Sequence, residues 1–431
     1  MSAARRDARP RDLAGWLAYL ETLHPKSIAL GLDRVRAVLA RLDAPIRCPV
    51  VTVTGTNGKG STSAMIEAAW RAAGYRIGLY ASPHLVRYNE RVRIDGVEAS
   101  DEALVGALNA VEDARTASEP AVPLTYFEHG TLAALHLFSH GRLDGLVLEV
   151  GLGGRLDAVN VVDADVAVVT SIDLDHREYL GNTRETVGRE KAGIFRRDRV
   201  AICGDPDPPG TVVEEAARIG ARLLVRGRDF ASSYEGAQWR YRGPGGDRYG
   251  LPMPALRGVP QLGNAACAIA AIDALRDRLP VPSGALRDAL VGVELPGRFQ
   301  VLPGRPTRVL DVAHNPQAAR ALADTLGAMG FHPSTFAVFG MLADKDIEGV
   351  VAAMRGRVDR WFVAPLPGPR GASADRLVEA LVRDGVPRAA IRADADVASA
   401  WRAALAAAGE ADRIVAFGSF LTVAAVLAAV R

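Results

Sequence analysis

The sequence predicts a doubly wound α/β fold, with mostly parallel sheet, in two domains. Three observations lead there. Short apolar runs of strand character alternate with helical stretches along most of the chain. A glycine-rich turn joins the first strong strand directly to a helix. The length, 431 residues, exceeds what one hydrophobic core usually organises.

The first strong strand is CPVVTVTG (48–55), which runs straight into TNGKGSTSAMIEAAWRAAG. There the apolar period lengthens from strand to helix, and Gly74 reads as the helix C-cap. Further strand-like runs follow at 75–82, 143–152, 163–172 and 199–205, with helical patterns such as 125–140 and 183–194 between them. Residues 229–256 are richer in Gly, Pro and aromatics and predict short antiparallel strands on the rim. After VELPGRF (293–299) the alternation resumes, with strands expected at TRVLDVA, TFAVFGM, RWFVAPL and DRIVAFG. The Pro296-Gly297 pair is the hinge candidate, giving expected domains 1–296 and 297–431.

Composition excludes several function classes. The net charge is +2 and the arginines are scattered, which leaves no basic footprint for nucleic acid or an anionic membrane. The longest uncharged run, IVAFGSFLTVAAVLAAV (414–430), is short for a membrane span and is broken by Gly418-Ser419; a strand, a turn and a terminal helix suit it better. The basic start, MSAARRDARPRDLAGW, has no apolar stretch after it and is not a secretory signal. Cys48, Cys203 and Cys267 are widely spaced with no CxxC, which predicts reduced structural thiols and a cytoplasmic setting.

VTVTGTNGKGST (51–62) sets a buried strand, a glycine-rich turn, a lysine and hydroxyls at the start of a helix. Glycine lets backbone N–H groups wrap around phosphate oxygens, and a helix N-terminus adds positive potential. Lys59 would reach the β- and γ-phosphates as a mobile point charge. The spacing departs from the usual G-x-x-x-x-G-K-[ST] loop: two residues separate Gly55 from Gly58, and Gly60 follows the lysine. The hydroxyl that normally holds magnesium is thus displaced, and another residue has to take that duty. The plainer alternative is a βα turn with a solvated lysine.

LEVGLGGRLDAVN (148–160) puts Glu149 near the C-terminal end of an apolar strand, where open α/β sheets bind ligands. A lone glutamate can also cap a helix there, but Gly151, Gly153 and Gly154 point to close backbone approach. TSIDLDHREYLG (170–181) ends another strand with Asp173, Asp175 and His176. A histidine beside a carboxylate is a metal ligand, a base or a satisfied polar pair. Glu149 and His176 on parallel strands near a phosphate loop predict a magnesium site.

Positive charge in this chain is written almost entirely as arginine. Lys and Arg number 52 together, and the lysines are Lys26, Lys59, Lys191 and Lys345 alone, leaving 48 arginines. Lys191 stands in GREKAGIF (188–195) among arginines. A desolvated lysine can lose its proton and become a nucleophile, which guanidinium cannot. Three uses follow: a Schiff base, a general base, or a carbamate formed with carbon dioxide. The carbamate would turn a cation into an oxygen ligand for a hard metal. The plain alternative, a salt bridge to Glu190 or another neighbour, is a task this chain gives to arginine. Replacement by arginine is expected to abolish the chemistry and leave the fold intact.

In the second domain, RVLDVAHNPQAARAL (308–322) places Asp311, His314 and Asn315 at a strand end, with Asn315 able to cap a helix beginning near Pro316. PGRFQ (296–300) puts Arg298 at the hinge, where it can clamp nucleotide phosphates. FGSFLTV sets Ser419 at the last strand end. Lys345, between Asp344 and Asp346, reads as a local ion pair.

Taken together, TGTNGKGS, ASPHLVRYNERV, LTYFEHGTLAAL, LEVGLGGRLDAVN, DHREYLG, REKAGIF, PGRFQ and DVAHNP resemble the folylpolyglutamate synthase and dihydrofolate synthase family of the Mur ligase superfamily, in the family's order. Matching segments run from LHPKSIALGLDRV (23–35) to FGSFLTVA (417–424), nearly the whole chain. The resemblance implies an ATP-dependent amide ligase: a P-loop nucleotide-binding domain carrying the pterin site, then a smaller Rossmann-like glutamate-ligase domain. It implies that Ser82 and Glu149 hold one magnesium, and that His176 and carbamylated Lys191 hold a second. Asn57, Gly58, Lys59, Gly60, Ser61, Asn264, Arg298 and Asp311 become ATP contacts. Ile28, Ala29 and Leu30, Thr125 to Glu128 (with Tyr126 and Phe127), and Leu156, Asp157 and Ala158 become pterin contacts. His314 and Ser419 match positions that hold the incoming glutamate. Val159 stands where the family often has threonine, and SFLTV differs mildly from the usual motif.

The implied reaction adds L-glutamate to 7,8-dihydropteroate and to reduced folates through an acyl phosphate. Closure of the second domain would bring the amine to the acyl carbon and exclude water. Partners are these small molecules, and a monomer is expected. A synthase of polyglutamates only, a cell-wall Mur ligase and a P-loop ATPase switch are the competing readings.

Overall fold

The computed structural model describes residues 9–26 and 28–430; residues 1–8 of the basic start lie outside the described part. The described chain forms two compact units. The first comprises the chain up to Ser82, Tyr88–Met253 and Gly263–Val293; the second comprises Pro83–Arg87, Pro254–Leu262 and the chain from Glu294 onward.

The first unit is built on eight strands: β1 (Val50–Thr54), β2 (Ile77–Tyr80), β3 (Val92–Ile94), β4 (Val97–Glu98), β5 (Gly145–Glu149), β6 (Val166–Val169), β7 (Val200–Cys203) and β8 (Arg222–Val225). Their order is β4-β3-β2-β5-β1-β6-β7-β8. Six pair in parallel from β2 to β8, while β3 and β4 extend one edge antiparallel. The VVTVT segment of β1 is β-branched and buried at every position, as a strand covered on both faces must be. The expected strands were too long at both ends, so Ser82 lies in the loop beyond β2 rather than within it.

Helices begin where side chains can satisfy their free N–H groups. Ser100 caps Asp101–Arg115 by accepting from Ala103 N. Tyr126–His140 opens with a capping box between Thr125 and Glu128. Thr183 does the same with Thr186 for Arg184–Ala192, which stops two residues before the expected 194. Three antiparallel strands, β9 (Ala231–Glu235), β10 (Gln238–Arg242) and β11 (Arg248–Pro252), form the small sheet predicted for 229–256.

The second unit holds β12 (Gln300–Leu302), β13 (Thr307–Leu310), β14 (Thr335–Phe339), β15 (Arg360–Val363), β16 (Ile391–Ala393) and β17 (Arg413–Phe417). Their order is β12-β13-β17-β14-β15-β16, parallel except for β12. The long uncharged run resolves into β17 and a helix, Phe420–Val430. Among the described residues, no helix is long and apolar enough to cross a membrane.

Candidate functional site

The strand order places four sequence motifs side by side. β2, β5, β1 and β6 are consecutive neighbours, and beyond their carboxyl ends lie Ser82, Glu149, the 55–60 loop and Asp173–His176 respectively. From β1 the chain crosses toward β2, and from β6 it crosses the other way to β7, which makes their boundary the topological switch point. A ligand crevice belongs there on topology alone.

The loop between β1 and the helix Lys59–Ala72 is held from below by the segment after β6. Thr56 N donates to Ser171 O at 2.9 Å, and Thr56 Oγ1 to Asp173 O at 2.9 Å. Asn57 O accepts from Thr170 Oγ1 at 2.6 Å and from Ser171 Oγ at 3.0 Å. Gly58 has φ +87, and a Cβ there would lie 2.4 Å from Asn264 Oδ1. Only glycine fits. Asn264 therefore packs directly on the loop. Lys59 Nζ donates to Gly55 O at 3.0 Å, within the turn that would receive phosphate. Gly60 is half-buried and Ser61 is buried in the first helical turn.

Lys191 is 3% exposed, and among the described residues its amine makes no hydrogen bond or ion pair. The salt bridge to Glu190 is not formed: that carboxylate takes Arg155, with Nη2 at 2.8 Å and Nε at 3.1 Å. Burial, then the neighbouring Lys59 charge, push the Lys191 amine down to about 7, against the pull of Asp175 and Asp157. A general base, a Schiff-base lysine and a carbamate all need this neutral amine. The turn after it is stitched to the loop beyond β5. Arg155 N donates to Glu190 O at 2.8 Å, and Asn160 Nδ2 bonds Arg155 O and Gly193 O at 3.0 and 3.1 Å. A Cβ on Gly154 would sit 2.9 Å from Glu190 O. Thr54 Oγ1 ties the same loop to β1 through Gly153 O at 2.6 Å.

Glu149, 4% exposed, ends β5 beside the Ser82 loop, so a carboxylate and a hydroxyl stand on adjacent strand ends, a donor set suited to a hard divalent cation. His176 follows Asp175, whose carboxylate accepts its N–H at 2.8 Å, and its backbone is left-handed at φ +50. Among the described residues no three His, Cys, Asp or Glu side chains form a metal cage, so a cation here would need further oxygen donors from other groups.

The three segments read as pterin contacts also meet. Gly31 N, next to Ile28, Ala29 and Leu30, donates to Leu156 O at 3.1 Å. Phe127 covers Gly151, where a Cβ would come within 2.6 Å of its ring, and stands 6.1 Å from the Tyr80 ring. Tyr126 stands edge-on to Tyr88 at 6.0 Å. Asp157 accepts from Leu152 N and Val159 N at 2.9 Å each, yet burial still pushes its carboxyl up to about 6. Ala158 opens the short 3-10 turn that Asp157 caps. Thr125 and Glu128 are engaged in their capping box, and Glu128 also pairs with Arg34 at 2.8 Å. Arg34 was not singled out from the sequence.

In the second unit, Asp311 follows β13 and accepts from Phe299 N and Ala313 N, each at 2.8 Å. Burial raises its carboxyl, with Arg298 pulling the other way. Arg298 lies 5.0 Å above the Phe420 ring, and His314 lies 6.1 Å from that ring. Asn315 caps Pro316–Gly327 as expected. Ser419 is buried beyond β17, its Oγ accepting from Leu421 N at 3.2 Å. Arg298, His314 and Ser419 thus gather around the strand ends and Phe420, a residue the sequence reading passed over. Asp344 pairs with Arg370 at 2.7 Å and also feels the Lys345 charge, and Asp346 caps Ile347–Ala353.

Comparison with known proteins matches residues 53–272 to the Mur ligase middle domain and residues 297–420 to the Mur ligase glutamate ligase domain. The chain is 48% identical to the dihydrofolate synthase/folylpolyglutamate synthase of Escherichia coli (strain K12), over 96% of this chain and 94% of that protein. It is 40% identical to the protein of that name from Haemophilus influenzae, over 96% of each. Among solved structures, E. coli FolC in complex with DHPP and ADP superposes with TM-score 0.92 at 46% identity, covering 98% of both chains. The Yersinia pestis bifunctional folylpolyglutamate synthase/dihydrofolate synthase complexed with AMPPNP and Mn ion superposes with TM-score 0.89, also at 46% identity and over 98% of both chains.

Proposed function

We propose, for a chain that belongs to the Mur ligase family and within it to the dihydrofolate synthase/folylpolyglutamate synthases, that it uses ATP to join L-glutamate to 7,8-dihydropteroate and to reduced folates. The observation that carries the reading is the stitched arrangement beyond β1 and β5. An acyl-phosphate ligase must hold an acceptor carboxylate and a γ-phosphate together, and here the loop 151–158 is tied both to the phosphate-loop strand and to the Lys191 turn.

In this reading the acceptor carboxylate attacks the γ-phosphorus, ADP leaves, and the glutamate amine then displaces phosphate from the acyl carbon. The amides of Asn57–Ser61 and Lys59 balance the charge on the transferring group. Asn264 supports the loop through Gly58. Arg298 and Asp311 take the nucleotide, and His314 and Ser419 the glutamate. Ile28–Leu30, Thr125–Glu128 and Leu156–Ala158 frame the pterin, with Thr125 and Glu128 acting through the capping box. A divalent cation, when bound, would neutralise phosphate oxygens. Ser82 and Glu149 are the residues proposed to hold one, His176 and Lys191 a second.

Lys191 is proposed to serve as its carbamate. Its neutral amine adds to the carbon of carbon dioxide and a proton leaves to solvent, so an amine becomes an anionic oxygen donor. Burial, the absence of a partner among the described residues and the repulsive Lys59 charge all favour that exchange. A reduced cytoplasmic setting, with buried Cys203 and Cys267 as structural thiols, and a monomeric state complete the proposal.

The deciding assay is ADP release with glutamate present or omitted, using dihydropteroate and tetrahydrofolate as separate acceptors. Glutamate-dependent release with both supports the reading. Silence with dihydropteroate alone would leave a polyglutamate synthase. Release indifferent to glutamate and acceptor would overturn ligation in favour of an ATPase switch.

A further inference from the structure

We infer that Arg34 is a positioning residue for the acceptor, clasping the 28–31 loop to the start of the helix that carries Tyr126–Glu128. The inference rests on the pterin reading of those segments. Arg34 Nη2 donates to Ala29 O at 2.8 Å and to Glu128 Oε1 at 2.8 Å, and its Nε donates to Glu128 Oε2 at 3.4 Å. The same Oε2 accepts from Thr125 N at 2.8 Å. A capping box needs only the glutamate and the N-cap residue. The arginine is an addition, and what it adds is the loop.

The loop has little else to hold it. Residues Ile28–Gly31 belong to no helix or strand. Among the described residues two hydrogen bonds fix them, Arg34 to Ala29 O and Gly31 N to Leu156 O. Those bonds lead to the two other pterin segments, so the three close into a ring: 28–31 to 125–128 through Arg34, 125–128 to Gly151 through Phe127, and 156 back to Gly31. The Glu128 side chain is 4% exposed and that of Arg34 28%, so the ion pair is largely shielded from water and geometrically fixed. Lysine has one charged nitrogen and no fork, so it cannot reproduce three directed bonds on two acceptor groups. Ile28 and Leu30 would then be free to leave the face they present to the acceptor.

The test is Arg34→Gln and Arg34→Lys, with steady-state kinetics for each substrate in turn. The KM for dihydropteroate and for tetrahydrofolate should rise about tenfold or more in Arg34→Gln, equivalent to ~1.4 kcal/mol. Arg34→Lys should fall between, and the KM values for ATP and glutamate should stay within about twofold. Titration of dihydropteroate into the enzyme without ATP should show the same weakening. A merely structural arginine would lower Tm and the active fraction while leaving every KM unchanged. Unchanged acceptor KM, or equal shifts for all substrates, would overturn the clasp. Failure of the wild type itself to bind or turn over a pterin acceptor would instead overturn the function proposed above.

Discussion

Replacing Lys191 by arginine should stop ligation and also destabilise the protein. Lys191 is 3% exposed, and its amine, without a partner among the described residues, has been pushed from the usual 10.5 down to about 7. That displacement corresponds to a difference on the order of 5 kcal/mol between its charged and neutral forms. Lysine escapes most of this by releasing its proton. Arginine cannot, and an uncompensated buried charge costs roughly 3–5 kcal/mol, a large part of a typical total of about 5–15 kcal/mol. The expectation from sequence that the fold survives Lys191→Arg is therefore revised; Lys191→Met is the variant that keeps the fold and loses the chemistry.

The pH dependence has a definite sign. The folded pKa lies below the unfolded one, so between about 7 and 10.5 the unfolded chain binds more protons, and stability rises with pH across that window. Urea denaturation in carbon dioxide-free buffer should show this slope in the wild type and not in Lys191→Met. The same depression leaves about half the amine neutral at pH 7, roughly sixteen hundred times the fraction for an ordinary lysine, which is the form that meets carbon dioxide. Labelled bicarbonate should then give a carbamate carbon signal in the wild type only. An arginine variant with wild-type denaturation midpoint and wild-type ADP release would refute both halves of the reasoning.

Gly58→Ala should raise the KM for ATP by about tenfold or more, because its Cβ would meet Asn264 Oδ1 at 2.4 Å in a backbone at φ +87; wild-type nucleotide kinetics would show that the loop does not need this shape. Asp157, raised to about 6 from 3.8, stabilises the fold below about pH 4 and loses that contribution as pH rises through 6. Asp157→Asn should flatten the slope by up to ~3 kcal/mol in melts from pH 4 to 7, and an unchanged slope counts against it. Burial would raise the Glu112 carboxyl, but His129 and Arg115 pull it down to about 2. Glu112→Gln should therefore cost about 3–5 kcal/mol in urea by stranding Arg115, which sits 2.6 and 2.7 Å away, and a cost below about 1 kcal/mol would remove that pair from the account of the core.

The parallel strands were legible because each is short, apolar and bounded by turn residues, and β1 with its phosphate loop showed most clearly of all. The β3–β4 edge was not. Its strands span three and two residues, too few to display a period, although Asp95-Gly96 between them is a hairpin signal that reading for turns would have caught. β12 and β16, at three residues each, were missed for the same want of length, and β8 was missed because only its last two residues are buried. At the site, rarity was the signal. Lys191 stood out because lysine is scarce in this chain, and Arg34 was invisible because it is one of 48 arginines. Phe420 was passed over because a phenylalanine in an apolar run reads as core, and only coordinates place it between Arg298 and His314.

The bonds that tie the loop after β5 to the Lys191 turn have a consequence for exchange with solvent deuterium. A glycine-rich turn of this length would ordinarily trade its amide hydrogens quickly. Here Leu152 N and Val159 N are held by Asp157, Asn160 N by Asp157 O, and Arg155 N by Glu190 O. Those amides should exchange slowly and together, at a rate set by opening of the Arg184–Ala192 helix end rather than by fluctuation of the loop. Such a turn would behave kinetically as part of the sheet's interior while lying, in sequence, between two of its strands.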